Sequence, residues 1–251
     1  MRKIVLLGDS IARGVVRDNR SAKYCVSCAS FAKNCERLMN VQMDNQARMG
    51  STVVHGLVAA QRFTSKITEA DEVWLLFGGN DSNMNLTNID TLPEPVSYQP
   101  TVTLQEFQQK YTELIQQVQN LGANVILLSL PPFALRKFLG NVRQSIHTPM
   151  GKCKWQQFVH NQPEMLANWH EMYNLSVFKL AHKHHVPIID ITTPFLKKGD
   201  CESYFCDDGI HPNIQGHLLI TDAIIKNRPE LVSFKQILLN HYQQKSTEIT
   251  N

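Results

Sequence analysis

The sequence predicts an α/β fold built on a parallel sheet. Two observations indicate this: several short apolar runs end at a glycine or a proline, and amphipathic helical patterns lie between them. Strands that alternate with helices pair in parallel, because each helix carries the chain back across the sheet. We therefore expect the carboxyl ends of the strands to meet at one edge, where ligands bind in such sheets.

The first predicted strand, Lys3 to Leu7, is apolar and partly β-branched and stops at Gly8, as a strand buried on both faces does. A weaker candidate follows at Val41 to Gln46. Three further apolar runs that end at or near a glycine or proline are also predicted as strands: Glu72 to Phe77, Asn124 to Leu130 and Val186 to Ile191.

Two helices are clear from their periodicity. The first runs from Phe107 to Leu121, with Thr103 and Glu106 as a capping box and Gly122 as its stop. The second opens at Pro163 and has an apolar face at helical spacing: Leu166, Trp169, Tyr173, Val177 and Leu180. The histidines at its end are interpreted as cations at a helix C-terminus and not as a metal site: His182, His184 and His185.

Two long segments match neither a helix nor a strand and are predicted as functional loops, residues 82–100 and residues 134–162. The polar residues 241–251 are expected to form a frayed tail. Because the chain has no internal repeat and no linker, residues 1–251 are predicted to form a single domain, with residues 134–162 as a candidate cap.

The composition excludes several classes of protein. A content of 43% hydrophobic and 19% charged residues is globular, and no apolar run nears the roughly 18 residues of a membrane-spanning helix. A net charge of +3 is too small to indicate a nucleic-acid-binding protein. The apolar run Ile4 to Leu7 is too short for the core of a signal peptide, so a cytoplasmic protein is expected.

The cysteines predict neither disulfides nor a metal site. Cys25, Cys28 and Cys35 have spacings near those of zinc ligands, but no fourth ligand follows at a customary distance. A chain of this length buries a core that needs no disulfide, so all six cysteines are interpreted as free thiols.

The first predicted strand leads directly into a serine. Ser10 follows Gly8 and Asp9, where it would open the next helix with its hydroxyl exposed and its backbone N–H free. Ser10 is therefore a candidate nucleophile, although serine is also a favoured helix N-cap. The glycine spacing fits neither a dinucleotide site nor a P-loop, so a nucleotide ligand is not expected.

Two further polar motifs follow predicted strands. Asn80 comes after the glycine pair that ends the strand at Phe77, and its amide is a candidate oxyanion donor or an Asx-turn. Asp208 stands three residues before His211, a spacing at which its carboxylate can accept from Nδ1 and leave Nε2 as a base. Asp207, one residue farther away, is expected to point elsewhere.

These motifs together resemble the GDSL or SGNH hydrolase superfamily, in four blocks spread along nearly the whole chain. Gly8 to Ile11 resembles the first block, with Ile11 in place of the usual leucine. Asn45 to Thr52 resembles the second block more loosely. Gly78 to Asp81 is similar to the third block, and Asp208 to Pro212 is similar to the last. The nucleophile elbow of α/β-hydrolases fits less well, because the second glycine is missing and the acid lies beside the histidine.

The resemblance implies a flavodoxin-like three-layer α/β/α sandwich with about five parallel strands and no cofactor. It implies a triad of Ser10 as nucleophile, His211 as base and Asp208 as acid, which cleaves carboxylic esters through an acyl-enzyme. The oxyanion hole would consist of the Ser10 and Gly50 N–H groups and the Asn80 amide. Two alternatives stay open on the same fold: acyl transfer to an alcohol, and a pseudoenzyme that binds carbohydrate or lipid without turnover.

Residues 134–162 are the candidate determinant of substrate. They contain no acidic residue and five basic ones: Arg136, Lys137, Arg143, Lys152 and Lys154. Such a surface fits an anionic lipid head group, a sugar stacked on Trp155, or a solvated basic loop without a ligand. The expected partner is a small-molecule, lipid or sugar ester, with lysophospholipid, acetylated sugar and small acyl ester left open.

Overall fold

The structure is a computed structural model that describes residues 1–18, 21–84, 86, 89–94, 96–161 and 164–231. The predicted tail at residues 241–251 lies outside the described residues. Gln162, where the second predicted loop ends, and Pro163, where the second predicted helix opens, also lie outside them.

A parallel sheet occupies the centre of the described chain. The strands are, in chain order, β1 (Arg2–Gly8), β2 (Val15–Arg17), β3 (Tyr24–Val26), β4 (Val41–Asn45), β5 (Glu72–Leu76), β6 (Asn124–Leu128) and β7 (Ile188–Ile189). β2 and β3 form an antiparallel hairpin, and the other five pair in parallel in the order β4-β1-β5-β6-β7. If these five strands are renumbered 1 to 5 along the chain, their order in the sheet is 2-1-3-4-5, which is the flavodoxin-like order. The predicted fold class is therefore confirmed.

Helices cover both faces of this sheet. They are, in chain order, α1 (Ser10–Arg13), α2 (Phe31–Leu38), α3 (Val53–Arg62), α4 (Thr64–Thr68), α5 (Leu104–Asn120), α6 (Leu135–Ser145), α7 (Pro149–Asn161), α8 (Met165–His184), α9 (Thr193–Leu196) and α10 (Ile214–Asn227). α5 packs against α3 and α8 on one side, and α2 packs against α10 on the other. None of the helices in the described part of the chain is long and apolar enough to cross a membrane.

The core lies between the sheet and the two helix layers. Leu6 and Leu7 of β1, and Val73 to Leu75 of β5, are fully buried, as expected for central parallel strands covered on both faces. Helix α5 begins as predicted, because the Thr103 side chain accepts a hydrogen bond from the Glu106 N–H at 3.3 Å.

Residues 134–162 contain two helices, so the prediction of a loop was wrong. Both helices, α6 and α7, contribute to a second apolar cluster beside the main core: Met84, Leu86, Ile89, Phe138, Val142, Ile146, Trp155, Phe158 and Leu166. A narrow apolar face is enough to cover so small a cluster, and the basic and polar residues around it obscured the helical period in the sequence.

The cysteines are not paired with one another in the described structure. All six lie among the described residues, and none forms a disulfide. Nor do the described residues include a group of three or more His, Cys, Asp or Glu side chains that could hold a metal ion.

Candidate active site

The carboxyl ends of β1 and β5 lie side by side and present two of the predicted site residues together. Gly8 pairs with Leu76, so Ser10 and Asn80 emerge from neighbouring strands and line the same pocket. The turn into α1 requires glycine at position 8, because a Cβ there would lie 2.5 Å from the Ala12 Cβ.

Asp9, and not Ser10, is the N-cap of α1. Its Oδ1 accepts hydrogen bonds from the N–H groups of Ile11 at 2.9 Å and Ala12 at 3.4 Å. Burial raises the pKa of Asp9 to about 6, although these hydrogen bonds oppose the shift. Because Asp9 caps the helix, the Ser10 hydroxyl is not needed as a cap and is available to His211.

Ser10, His211 and Asp208 form one chain of hydrogen bonds. His211 Nε2 lies 2.9 Å from Ser10 Oγ, and His211 Nδ1 lies 2.7 Å from Asp208 Oδ2. Ser10 is 6% exposed, His211 5% and Asp208 1%, so the chain is shielded from bulk solvent. An ionised carboxylate only accepts hydrogen bonds, so Nδ1 carries the proton and Nε2 is the base that faces the serine.

The loop that carries Asp208 and His211 is held by its own backbone. Asp208 Oδ1 accepts from the N–H groups of Ile210 at 2.9 Å and His211 at 3.1 Å. Burial would raise the pKa of Asp208, but the hydrogen bond from His211 Nδ1, the electrostatic attraction of this ring when it is protonated, and the two backbone donors lower it below its usual value. Asp207 is exposed and makes no contact with His211.

Gly209 lets this loop turn against α6. Its φ is +74°, and a Cβ at this position would lie 2.4 Å from the backbone nitrogen of Phe138. Its carbonyl accepts a hydrogen bond from the Ala134 N–H at 2.7 Å. The segment 134–162 is therefore packed directly against the loop that carries Asp208 and His211.

Asn80 is joined to the segment that resembles the second block. Its Nδ2 donates to the Ser51 carbonyl at 3.0 Å, which leaves the second amide hydrogen for another acceptor. Gly50 precedes Ser51 in a turn with φ of +76°, and neither its N–H nor that of Ser10 donates to another described residue. The N–H groups of Ser10 and Gly50 and the second hydrogen of the Asn80 amide thus have no acceptor among the described residues, although Gly50 itself does not line the pocket.

The pocket beside Ser10 is mostly apolar. Its enclosed volume is small, about 60 Å³. Its apolar lining is Ile11, Pro131, Phe133, Phe138, Leu166 and Ile210. A pocket with such an apolar lining is suited to the apolar part of a small molecule.

The proposed stacking role of Trp155 is not supported, because the side chain is only 5% exposed. Trp155 packs in the second apolar cluster, 6.2 Å from the Phe158 ring, and does not line the pocket. A sugar cannot stack on a buried ring, so this interpretation of the sequence was wrong.

Three of the five basic residues of segment 134–162 have internal partners. Arg136 forms an ion pair with Glu202 at 3.2 Å. Lys137 donates to the Phe205 carbonyl at 2.9 Å, and buried Lys154 donates to two carbonyls of the chain at 90–92. Much of the positive charge that suggested an anionic head group is therefore used to hold the segment in place.

Two side chains at the site were missed in the sequence. The Tyr24 ring, on the β2–β3 hairpin, lies 5.1 Å from the His211 ring, and no local pattern predicts a contact between residues so far apart. His170 lines the pocket. The sequence did contain an indication of this position, because His170 follows Leu166 by four residues and so lies on the same face of the helix.

Asp81, which follows Asn80, is a further buried acid. Asp81 Oδ1 accepts from the Val53 N–H at 2.9 Å, and Oδ2 has no hydrogen-bond partner among the described residues. Burial, with the nearby charge of Asp9, raises the pKa of Asp81 to about 7. Between about pH 4 and pH 7 the folded protein therefore binds a proton here that the unfolded chain has already released.

We expect Asp81→Asn to stabilise the protein above pH 7 and to have little effect near pH 4. The contribution of Asp81 to the free energy of unfolding is largest below about pH 4. It is lost as the pH rises to about 7, at up to about 1.4 kcal/mol per pH unit. Denaturant unfolding of both proteins at several pH values measures the difference. The exposed Asp207→Asn is the control and should follow the wild type; a parallel offset for Asp81→Asn at every pH would contradict the prediction.

Solved structures similar to this chain include several esterases and lipases. A lipase/acylhydrolase from Enterococcus faecalis has 20% identity and a TM-score of 0.63, over 93% of this chain and 98% of that one. A member of the lipolytic protein G-D-S-L family from Veillonella parvula has 14% identity and a TM-score of 0.59, over 90% and 97%. A variant acetyl-xylooligosaccharide esterase from Geobacillus stearothermophilus has 17% identity and a TM-score of 0.61, over 90% and 93%. At such identities the likeness shows a shared fold.

Sequence comparison identifies the family directly. No match was found among curated protein sequences. Residues 6–219 match the profile described as the GDSL-like Lipase/Acylhydrolase family, a range that contains all four blocks noted in the sequence. The predicted resemblance is thus confirmed, and the chain belongs to the GDSL-like lipase/acylhydrolase family.

Proposed function

We propose that this protein is a serine hydrolase that cleaves carboxylic esters through an acyl-enzyme on Ser10. The observation that carries the proposal is the hydrogen-bond chain from Ser10 through His211 to Asp208, which ends beside an apolar pocket. A serine is a weak nucleophile by itself and becomes reactive when a correctly oriented base accepts its proton.

Each residue of the chain has a separate role in the proposed mechanism. Ser10 Oγ attacks the ester carbonyl while His211 Nε2 takes its proton, and the protonated imidazole then gives that proton to the departing alcohol. Asp208 keeps the proton of the neutral imidazole on Nδ1 and stabilises the imidazolium that forms. Water repeats the sequence at the acyl-enzyme and releases the acid.

The negative charge that develops on the carbonyl oxygen needs donors that are already in place. The N–H groups of Ser10 and Gly50 and the free hydrogen of the Asn80 amide are the candidates. A donor fixed in advance stabilises the transition state without the cost of reorganisation. The hydrogen bond from Asn80 to Ser51 supports this assignment, because it orients the amide.

The apolar pocket favours an ester with a compact acyl group. Neighbours in fold include a lipase/acylhydrolase and an acetyl-xylooligosaccharide esterase, which agrees with a range from acyl lipids to acetylated sugars. A series of p-nitrophenyl esters of increasing acyl length would locate this chain in that range. We expect the highest kcat/KM at the length that fills the pocket.

Labelling by a fluorophosphonate tests the proposal, because the reagent modifies serines activated by a base. The label should map to Ser10 in the folded protein. Ser82 lines the same pocket, but its hydroxyl donates to the Gly79 carbonyl, so it should stay unmodified. Absence of label, or label at another serine, would favour the pseudoenzyme that binds a ligand without turnover.

We expect Asn80→Ala to lower kcat by about 10²- to 10³-fold, the usual loss for one oxyanion donor, with a small change in KM. Steady-state kinetics with p-nitrophenyl acetate measure both constants. Asn83→Ala is the matched control, since Asn83 lines the same pocket and its side chain donates to no other described residue. If Asn80→Ala stays within a few-fold of wild type, the amide only supports the Ser51 turn.

A further inference from the structure

His170 is a polar side chain on the apolar wall of the pocket. It belongs to α8, is partly buried, and meets the Phe133 ring edge-on at 5.2 Å. Neither ring nitrogen has a hydrogen-bond partner among the described residues. Of the other polar side chains of the wall, Ser82 donates to the Gly79 carbonyl and Asn80 to that of Ser51, whereas Asn83 donates to no other described residue.

A neutral imidazole at this place can both donate and accept. Burial lowers the pKa of His170 to about 4, so the ring is uncharged at neutral pH. One of its nitrogens then carries a hydrogen and the other a lone pair. Leu or Phe would suit the lining formed by Phe133, Phe138 and Leu166 better, so the imidazole is a polar group that a ligand in the pocket can reach.

The pocket is suited to the acyl part of the ester. The proton for the departing alcohol comes from His211 Nε2, so the alcohol must leave on the side of His211, which does not line the pocket. Ser10 and Asn80 do line it, and they would hold the two ends of the carbonyl group. This step depends on the proposed function.

We propose that His170 binds an oxygen atom carried by the acyl chain of the substrate, and that the enzyme prefers acyl groups with a carbonyl or hydroxyl to plain hydrocarbon chains. The preference arises because the oxygen gives His170 a hydrogen-bond partner in the pocket that no described residue provides. One such hydrogen bond corresponds to about a tenfold preference in kcat/KM.

Matched p-nitrophenyl esters test this specificity at constant leaving group. The pairs are 4-oxopentanoate with 4-methylpentanoate and 5-oxohexanoate with 5-methylhexanoate, in which a keto oxygen replaces a methyl group of similar size. The rate of alkaline hydrolysis of each ester corrects for its intrinsic reactivity. Wild type should favour the keto ester of at least one pair by about tenfold in corrected kcat/KM.

In His170→Leu this preference should fall about tenfold, and His170→Gln, which keeps a donor and an acceptor, should retain part of it. The exposed His160→Leu on α7 is the control and should keep the preference of wild type. Fluorophosphonate labelling of Ser10 in each variant shows that the site is folded.

The outcomes separate this proposal from the proposed function. If wild type hydrolyses the esters without preferring either keto ester, or if His170→Leu keeps the preference, the role of His170 is overturned and the hydrolase assignment stands. If wild type hydrolyses none of the esters and Ser10 is not labelled, both are overturned.

Discussion

Ser10→Ala is expected to lower kcat for p-nitrophenyl acetate by about 10⁶-fold, close to the loss seen when a serine hydrolase loses its nucleophile. The variant keeps the pocket and the oxyanion donors but has no atom that can form the acyl-enzyme. Steady-state assays with concentrated enzyme measure the residual rate. Burst kinetics in wild type, and their absence in the variant, report the covalent step separately.

The fold should tolerate this substitution. Among the described residues, His211 is the only hydrogen-bond partner of the Ser10 hydroxyl. Asp9 remains the cap of α1 in the variant. Ser30→Ala is the matched control: it removes a buried serine that caps α2, so it should cost about 1 kcal/mol of stability and leave kcat nearly unchanged. Ser10→Ala with more than a hundredth of the wild-type kcat would contradict the assigned nucleophile.

Asp208→Asn is expected to lower kcat by about 10⁴-fold, while Asp207→Asn stays within a few-fold of wild type. An amide at position 208 can turn its NH₂ toward His211 Nδ1, which then accepts instead of donating. The proton moves to Nε2, and the base that faces Ser10 is lost. Steady-state kinetics measure kcat for both variants. Asp208 is buried and lies 2.7 Å from His211 Nδ1, whereas the neighbouring Asp207 is exposed.

Asp208→Asn should leave the loop folded, because its side-chain oxygen can still accept from the Ile210 and His211 N–H groups. Thermal unfolding of both variants provides that check. The opposite ranking of the two variants would assign the acid to Asp207. Equal and modest losses would mean that His211 is oriented without a carboxylate, as in a serine-histidine dyad.

The parts of this protein that sequence predicts well depend on contacts between near neighbours. Ile4 to Leu7 of β1 and Val73 to Leu76 of β5 are apolar because both faces of these strands are buried. Gly8 ends the first strand, and Gly78 follows two residues after the second. Asp208 reaches His211 across three residues, which is a local turn made possible by Gly209. Such patterns are readable because spacing and backbone freedom determine them.

The segment 134–162 shows where local patterns mislead. Its two helices are stable because they cover a second apolar cluster that includes Met84 and Leu86, far away in the chain. Trp155 looked like an exposed aromatic between lysines, but the same cluster buries it. Neither fact can be inferred from residues 134–162 alone, since burial depends on what the rest of the fold places against them.

The sequence by itself determined the α/β class, the order of the motifs and, through four blocks, the family of this protein. Only the tertiary structure decided that Asp9 caps α1, that Asn80 is oriented by Ser51, and that Tyr24 and His170 reach the site. The physical reason is that strand and helix patterns are repeated and local. A site at the end of a parallel sheet is instead assembled from residues on separate strands and loops, and their contacts exist only after the sheet has formed.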